Sequence, residues 1–201
     1  MNPLLVIPAK KHSRRLPGKN MLDLCGQPMI QYTIEAAKAA ALGRVVVTSD
    51  DRAALELAVN LGVDALKEQE CHDCHKPMGE VIRKAIIGIE GDPIITLQPT
   101  SPLRTAEDID LCNIHWYLSS VDEEGMNDDW SCASYTEIGK HQELLTTNGA
   151  IWITPRQLIE AGKMRAPWPN HLVYWMPPER SVDVDTVADF ELCRKLLTLE
   201  T

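Results

Sequence analysis

The sequence predicts an α/β fold: a doubly wound, mostly parallel sheet flanked by helices. Short apolar runs such as Leu4-Leu5-Val6-Ile7 and Val45-Val46-Val47 lack polar alternation, as strands buried on both faces do. Stretches with apolar residues at helical spacing separate these runs, and the connections are short, which is the signature of right-handed crossovers.

The elements follow in order. Residues 4–7 form the first strand, which Pro8 ends, and a long polar loop runs to Asn20. Residues 29–42 read as a helix with Ile30, Ile34, Ala37 and Ala41 in register, and Gly43 is its expected stop. Residues 44–48 are β-branched and short, a second strand. Leu55, Ala58 and Leu61 place a helix over 51–61, closed by Gly62; Val81, Ile82, Ala85 and Ile89 place another over 78–89. Residues 93–97 are the third strand. Beyond it come a helix over 106–118, a polar acidic loop over 119–129, strands over 131–135 and 149–153, and a short helix over 155–161 with Pro155 first. A strand over 172–176 and a helix over 186–199 complete the chain. No repeat or linker interrupts it, so residues 1–201 read as one domain.

Composition narrows the function. Apolar residues are 44% of the chain, enough for a core without a disulfide framework. No apolar run nears the roughly 18 residues that cross a bilayer. The start, Met1-Asn2-Pro3-Leu4, lacks the cations of a secretory signal. With that, the six scattered cysteines read as free thiols in the cytoplasm. The net charge of −9 argues against a nucleic-acid surface, which needs many clustered cations.

In a sheet of this kind ligands gather beyond the carboxyl ends of the strands, here the loops after Ile7, Val47 and Leu97. The first loop holds Lys10, Lys11, Arg14, Arg15 and Lys19, a quarter of all lysine and arginine in an acidic chain. Cations and free backbone N–H groups at that place suit a polyphosphate; the other reading is a solvated loop. No Walker A or G-x-G-x-x-G pattern is present. Near the other end, Asp183 and Asp185 stand two apart, which puts both on one face of an extended segment. They suit a Mg²⁺ ion that shares phosphate oxygens. On spacing alone the better reading is a helix cap, with Asp185 or Thr186 at the start and Asp189 closing a capping box.

These residues carry a resemblance. Ile7-Pro8-Ala9-Lys10, Ser13 and Leu16-Pro17-Gly18-Lys19-Asn20 resemble the nucleotide-binding signature of the acylneuraminate cytidylyltransferases (CMP-sialic acid synthetases). Leu97-Gln98-Pro99-Thr100-Ser101-Pro102-Leu103-Arg104, Asn148-Gly149-Ala150-Ile151-Trp152-Ile153 and Ser181-Val182-Asp183-Val184-Asp185 with Asp189-Phe190 are similar to three further family motifs, in family order. The chain looks like a short, divergent member.

The resemblance implies a Rossmann-like nucleotidyltransferase in which an acceptor hydroxyl attacks the α-phosphorus of CTP and pyrophosphate leaves. Its implied partners are CTP and an acidic sugar, a nonulosonic or other 2-keto sugar acid, with Mg²⁺ as cofactor and a homodimer as one option. Lys19, Asp183 and Asp185 are the implied catalytic groups, and the two aspartates the metal ligands. Pro8, Ala9, Lys10, Ser13, Lys19, Asn20, Asp73 and Lys76 are the implied nucleotide contacts. Gln98, Ser101, Arg104 and Asn148 are the implied acceptor contacts; Ser101 and Arg104 read equally as braces of a turn, and Asn148 as a hairpin residue.

The chain departs from the family in three places. Lys10 stands where the family has Arg, exchanging a planar fork for a point charge. His75-Lys76-Pro77 replaces small hydroxyl residues. The excursion before Asn148 is cut to about a dozen residues, with Lys140-His141-Gln142-Glu143-Leu144 as its remnant. That shortening brings in a phosphonate or phosphorylated small acid as an alternative acceptor. The first two changes bring in a nucleotide-binding protein without turnover. Cys71-His72-Asp73-Cys74-His75 has haem-attachment spacing but no export signal, and no second Cys pair to make a zinc site, so it reads as a loop. Asp50 reads as a helix N-cap, the acids from Asp122 to Asp129 as a solvated loop, and the five tryptophans as core or acceptor-side walls.

Overall fold

The computed structural model describes residues 2–68, 76–122, 125–126, 130–137, 145–167 and 169–199. Its centre is a seven-stranded sheet of β1 (Leu4–Ala9), β2 (Arg44–Ser49), β3 (Asp64–Lys67), β4 (Ile94–Leu97), β5 (Ser131–Glu137), β6 (Leu145–Thr154) and β7 (His171–Trp175). The spatial order is β3-β2-β1-β4-β6-β5-β7. β6 is antiparallel to both neighbours and all other pairings are parallel. The helices are α1 (Met29–Ala40), α2 (Arg52–Asn60), α3 (Met78–Ala85), α4 (Ala106–Ser120), α5 (Arg156–Glu160) and α6 (Val187–Leu199).

The alternation of β1 divides the core between two faces. Leu5, Ile7 and Ala9 pack with Ile30, Ile34 and Ala37 of α1, Ala54 and Ala58 of α2, and Ile109, Cys112 and Trp116 of α4. Leu4 and Val6 pack with Ile82 and Ala85 of α3 and Ile159 of α5. The sheet is thus wound on both sides, as its apolar runs require. A third cluster joins Leu16, Leu24 and Met29 to Val184 and Cys193, which ties α6 to the segment after β1. The chain progresses from β1 outward to β3, then returns to place β4 on the other side of β1. That reversal opens a crevice above the carboxyl ends of β1 and β4.

The structure corrects several expectations. β3 was not predicted: Asp64-Ala65-Leu66-Lys67 carries only two apolar residues, and its pairing with β2 makes it a strand. Ala41, in the left-handed conformation, ends α1 instead of Gly43. Gly43 has another task, since a Cβ there would stand 2.0 Å from the Pro3 carbonyl oxygen. Asp51, not Asp50, caps α2 by accepting from the Ala53 N–H; Asp50 accepts from the Lys11 N–H at 2.7 Å and so ties β2 to the basic loop. Helix α4 absorbs Ser119 and Ser120, where a loop was expected, and Val121–Asp122 pairs with Gly125–Met126 in a small hairpin. Asn148 lies within β6 and not at a hairpin turn, beside a register shift between Thr147 and Trp152. The haem-like segment with Asp73 and His75, the acids Glu123, Glu124, Asp128 and Asp129, the remnant from Lys140 to Leu144, and Trp168 lie outside the described residues.

Candidate functional site

The crevice at the switch point holds a cavity of about 340 Å³. Pro8, Lys10, Ser13, Lys19 and Asn20 line it from the β1 side, Gln98 from the β4 side, and Asp185 from the tail. His12, Arg14, Arg15, Met78, Pro99 and Thr100 complete the wall. The sequence had placed Arg14 and Arg15 only in a charged loop, and had given His12, Met78 and Thr100 no role.

Local chemistry explains the shape of the loop. Gly18 takes a left-handed φ of 67° that turns the chain into the 3₁₀ turn Lys19–Met21. Asn20 is buried, and its Nδ2 donates to the Lys10 carbonyl at 2.9 Å, closing the loop on itself. Its Oδ1 is buried without a partner. Ala9 is in the core, where its carbonyl accepts from the Ser49 hydroxyl.

Lys19 crosses to the other end of the chain. Its Nζ donates to Asp185 Oδ1 and to the Val184 carbonyl, both at 2.9 Å. Arg15 Nη2 lies 2.7 Å from the other Asp185 oxygen. The aspartate segment is itself anchored, since the Val184 N–H donates to the Thr100 carbonyl at 2.7 Å in the loop after β4. Burial raises the Asp183 carboxyl above its ordinary value; Asp185 adds to that, and the Thr100 hydroxyl, Lys19 and Arg15 oppose it. The expected capping box is present, and Thr186 makes it: Thr186 Oγ1 accepts from the Asp189 N–H, and Asp189 Oδ2 accepts from the Thr186 N–H at 2.8 Å. Asp185 is therefore not consumed as a cap.

On the acceptor side, Gln98 lies against Gly149, where an added Cβ would stand 3.3 Å from the Gln98 Oε1. Asn148 is buried and its amide is fully engaged. It accepts from the Ser134 hydroxyl at 2.6 Å and the Ala150 N–H at 3.1 Å, and donates to the Ser181 hydroxyl at 3.0 Å. Arg104 is 3% exposed, and its Nη1 donates to the Ala150 carbonyl at 2.6 Å and the Gln98 carbonyl at 3.3 Å. Burial brings its pKa down to about 9, against the pull of Asp108. Ser101 is buried beneath the same turn. Ser101, Arg104 and Asn148 thus brace the wall that carries Gln98, and none of them lines the cavity; the bracing reading of Ser101 and Arg104 fits the geometry. Lys76 is half-buried near Glu80 at the foot of α3, also off the cavity lining.

Among the described residues no three His, Cys, Asp or Glu side chains converge as an all-protein metal cage. Asp185 lines the cavity, and Asp183 stands two residues before it, within electrostatic reach of Lys19 and Arg15. This donor set fits Mg²⁺, which takes one or two carboxylates and completes its shell with phosphate and water.

A cationic loop at the switch point of an α/β sheet, facing paired carboxylates from the chain's far end, defines a protein of the nucleotidyltransferase class. Comparison with known proteins narrows the class. The chain belongs to the cytidylyltransferase family, whose model matches residues 4–169. It is 30% identical over 229 residues to CMP-N,N'-diacetyllegionaminic acid synthase of Legionella pneumophila, covering 99% of this chain and 97% of that protein. It is 27% identical over 224 residues to N-acylneuraminate cytidylyltransferase of Streptococcus agalactiae serotype V, where the match takes in 94% of this chain and 52% of the longer protein. In fold it is similar to a CMP:2-keto-3-deoxy-manno-octonic acid synthetase solved in complex with CTP, with a TM-score of 0.77 and 20% identity over the whole of both chains.

Proposed function

We propose that this chain transfers CMP from CTP to the hydroxyl of an acidic sugar, a nonulosonic or other 2-keto sugar acid, with release of pyrophosphate. The observation that carries the reading is the contact between Lys19 and Asp185, two residues 166 positions apart that meet at the cavity. The acidic sugars named in the relatives support the acceptor class.

Such a transfer needs charge neutralisation and alignment more than covalent help. Lys19 is 13% exposed, with two of its three Nζ donors engaged by Val184 and Asp185. The third is left for a phosphate oxygen, at a position the backbone has already fixed. Lys10 and Arg14 bring further positive charge to the triphosphate. Asp183 and Asp185 would hold Mg²⁺, which would supply charge neutralisation at the phosphate oxygens. Gln98, pinned between Arg104 and Gly149, orients the acceptor, and Asn148 fixes the strand behind it. The side-chain amide of Gln98 can both donate and accept, which suits a sugar hydroxyl.

A phosphonate or phosphorylated small acid is the second acceptor reading. The match to the Legionella protein runs over 229 positions against 201 residues here, so that relative carries insertions this chain lacks. Only residues 138–144 separate β5 from β6. A matrix of nucleotides and acceptors assayed for pyrophosphate decides between the two. Failure of every sugar acid removes the first reading. A melting temperature raised by CTP and Mg²⁺, with no pyrophosphate from any acceptor, would return the reading of a binding protein without turnover. We place the reaction in the cytoplasm, where CTP is made; among the described residues no helix is long and apolar enough to cross a membrane. The homodimer raised by the resemblance is checked by light scattering.

A further inference from the structure

The ion pair between Arg15 and Asp185 occupies an atom that the proposed metal site needs. We infer that Arg15 is a latch: in the nucleotide-free protein it holds Asp185 Oδ2, and an arriving triphosphate draws it away, so that metal and nucleotide bind cooperatively. The inference rests on the proposed role of Asp183 and Asp185 as metal ligands.

The two cations on Asp185 differ in kind. Lys19 is 13% exposed and also bonded to the Val184 carbonyl, so its position does not depend on the aspartate alone. Arg15 is 67% exposed, and Asp185 is its one close partner among the described residues. Asp189, which also feels Arg15, has its Oδ2 taken up by the N–H groups of Asp185 and Thr186. Arg15 is therefore the mobile member of the set. While its guanidinium lies 2.7 Å from Oδ2, a divalent cation at that oxygen meets a positive charge at contact range.

A triphosphate reverses the preference. Arg15 lines the same cavity as Lys10, Ser13 and Lys19, so the phosphates arrive within reach of its side chain. A guanidinium binds phosphate oxygens as a fork, and several phosphate charges outbid one carboxylate. Release of Oδ2 then coincides with the arrival of the oxygens that complete the metal's shell, which two carboxylates cannot fill. By linkage the effect is reciprocal: metal strengthens nucleotide binding by the factor with which nucleotide strengthens metal binding.

The test is Mn²⁺ binding to the nucleotide-free protein, followed by electron paramagnetic resonance. Arg15→Gln is expected to bind Mn²⁺ about two- to fivefold more tightly than wild type, the range of one exposed ion pair. Lys10→Gln removes one positive charge from the same cavity and leaves the Arg15–Asp185 pair standing; its gain is expected to be smaller. Equal gains in the two variants, or no gain in Arg15→Gln, overturn the latch. Asp185→Asn separates the layers of the argument. If wild type binds Mn²⁺ no better than Asp185→Asn, with CTP and without it, the metal assignment itself falls and takes the latch with it. If Asp185→Asn weakens binding and Arg15→Gln does not strengthen it, the latch alone is wrong.

Discussion

Replacing Lys19 with Met separates catalysis from architecture. The ammonium makes two hydrogen bonds, to Asp185 and Val184, and one of these is an ion pair. Asp185 keeps Arg15, so no carboxylate is stranded. With the apolar stem retained, the folded state loses one partly exposed pair and one hydrogen bond, about 1 kcal/mol of stability. The reaction loses more. A fixed charge aimed at oxygens that become more negative in the transition state contributes about 10²–10³ in kcat, or about 2.7–4 kcal/mol. Steady-state pyrophosphate release gives kcat and KM, and urea unfolding gives stability. The expected pattern is a kcat lowered at least a hundredfold beside a shift in unfolding free energy near 1 kcal/mol. Comparable losses in both measurements, or a kcat within tenfold of wild type, would show that Lys19 only fastens the tail to the loop.

Three further outcomes follow from the packing. Gly43→Ala places a Cβ against the Pro3 carbonyl, and the overpacking is expected to cost about 1–3 kcal/mol of unfolding free energy with activity per folded molecule unchanged. Asn148→Ala removes the side-chain acceptor of the Ala150 N–H and one partner each of the Ser134 and Ser181 hydroxyls, which keep the Ile151 and Pro177 carbonyls; a loss of about 1–3 kcal/mol in stability and a raised acceptor KM, with CTP binding near normal, are expected in calorimetry and kinetics. Asp108 sets an acid limb: burial alone would raise its pKa, but the Arg180 fork at 2.8 and 2.9 Å and the Thr105 bonds overcome burial and hold it below the ordinary value. Its contribution is therefore present above about pH 4, the unfolded value, and is lost as pH falls through the lower folded value. In Arg180→Met the buried carboxylate keeps only the Thr105 bonds and a long one from the Tyr174 hydroxyl, so the gap in unfolding free energy from wild type, about 3–5 kcal/mol at neutral pH, should close as pH drops below 4; a gap that stays constant with pH refutes the pairing.

What the sequence disclosed depended on the range of each interaction. β1, β2 and β4 were legible because strands buried on both faces need unbroken apolar runs. β3 was not, because Asp64 and Lys67 hide a strand that exists by pairing with β2. The loop after β1 stood out by its charge, and the aspartate pair by its spacing. Their meeting was an expectation from the resemblance, and in the structure Lys19 and Asp185 stand 2.9 Å apart. The choice between cap and free carboxylate at Asp185 could not be made from letters, since Thr186 and Asp185 are both good caps and only the backbone shows which is used. Arg15 was visible as one cation among five, and nothing local to it points to a partner 170 positions away. Asn148 shows the reverse error: a polar residue before glycine suggests a turn, but its amide is held by Ser134 and Ser181, from segments that a local reading cannot bring together.

The reversed strand β6 has a consequence for how such proteins diversify. Because it runs against β4 and β5, Leu145 stands opposite Glu137. The two ends of the connecting segment are therefore neighbours whatever its length. A graft at this joint can lengthen or shorten the connection by tens of residues without moving a rung of the ladder below it. The connection and the ladder below it are thereby separable, and exchanging the seven residues between Glu137 and Leu145 for a longer insert tests whether the connection selects the acceptor.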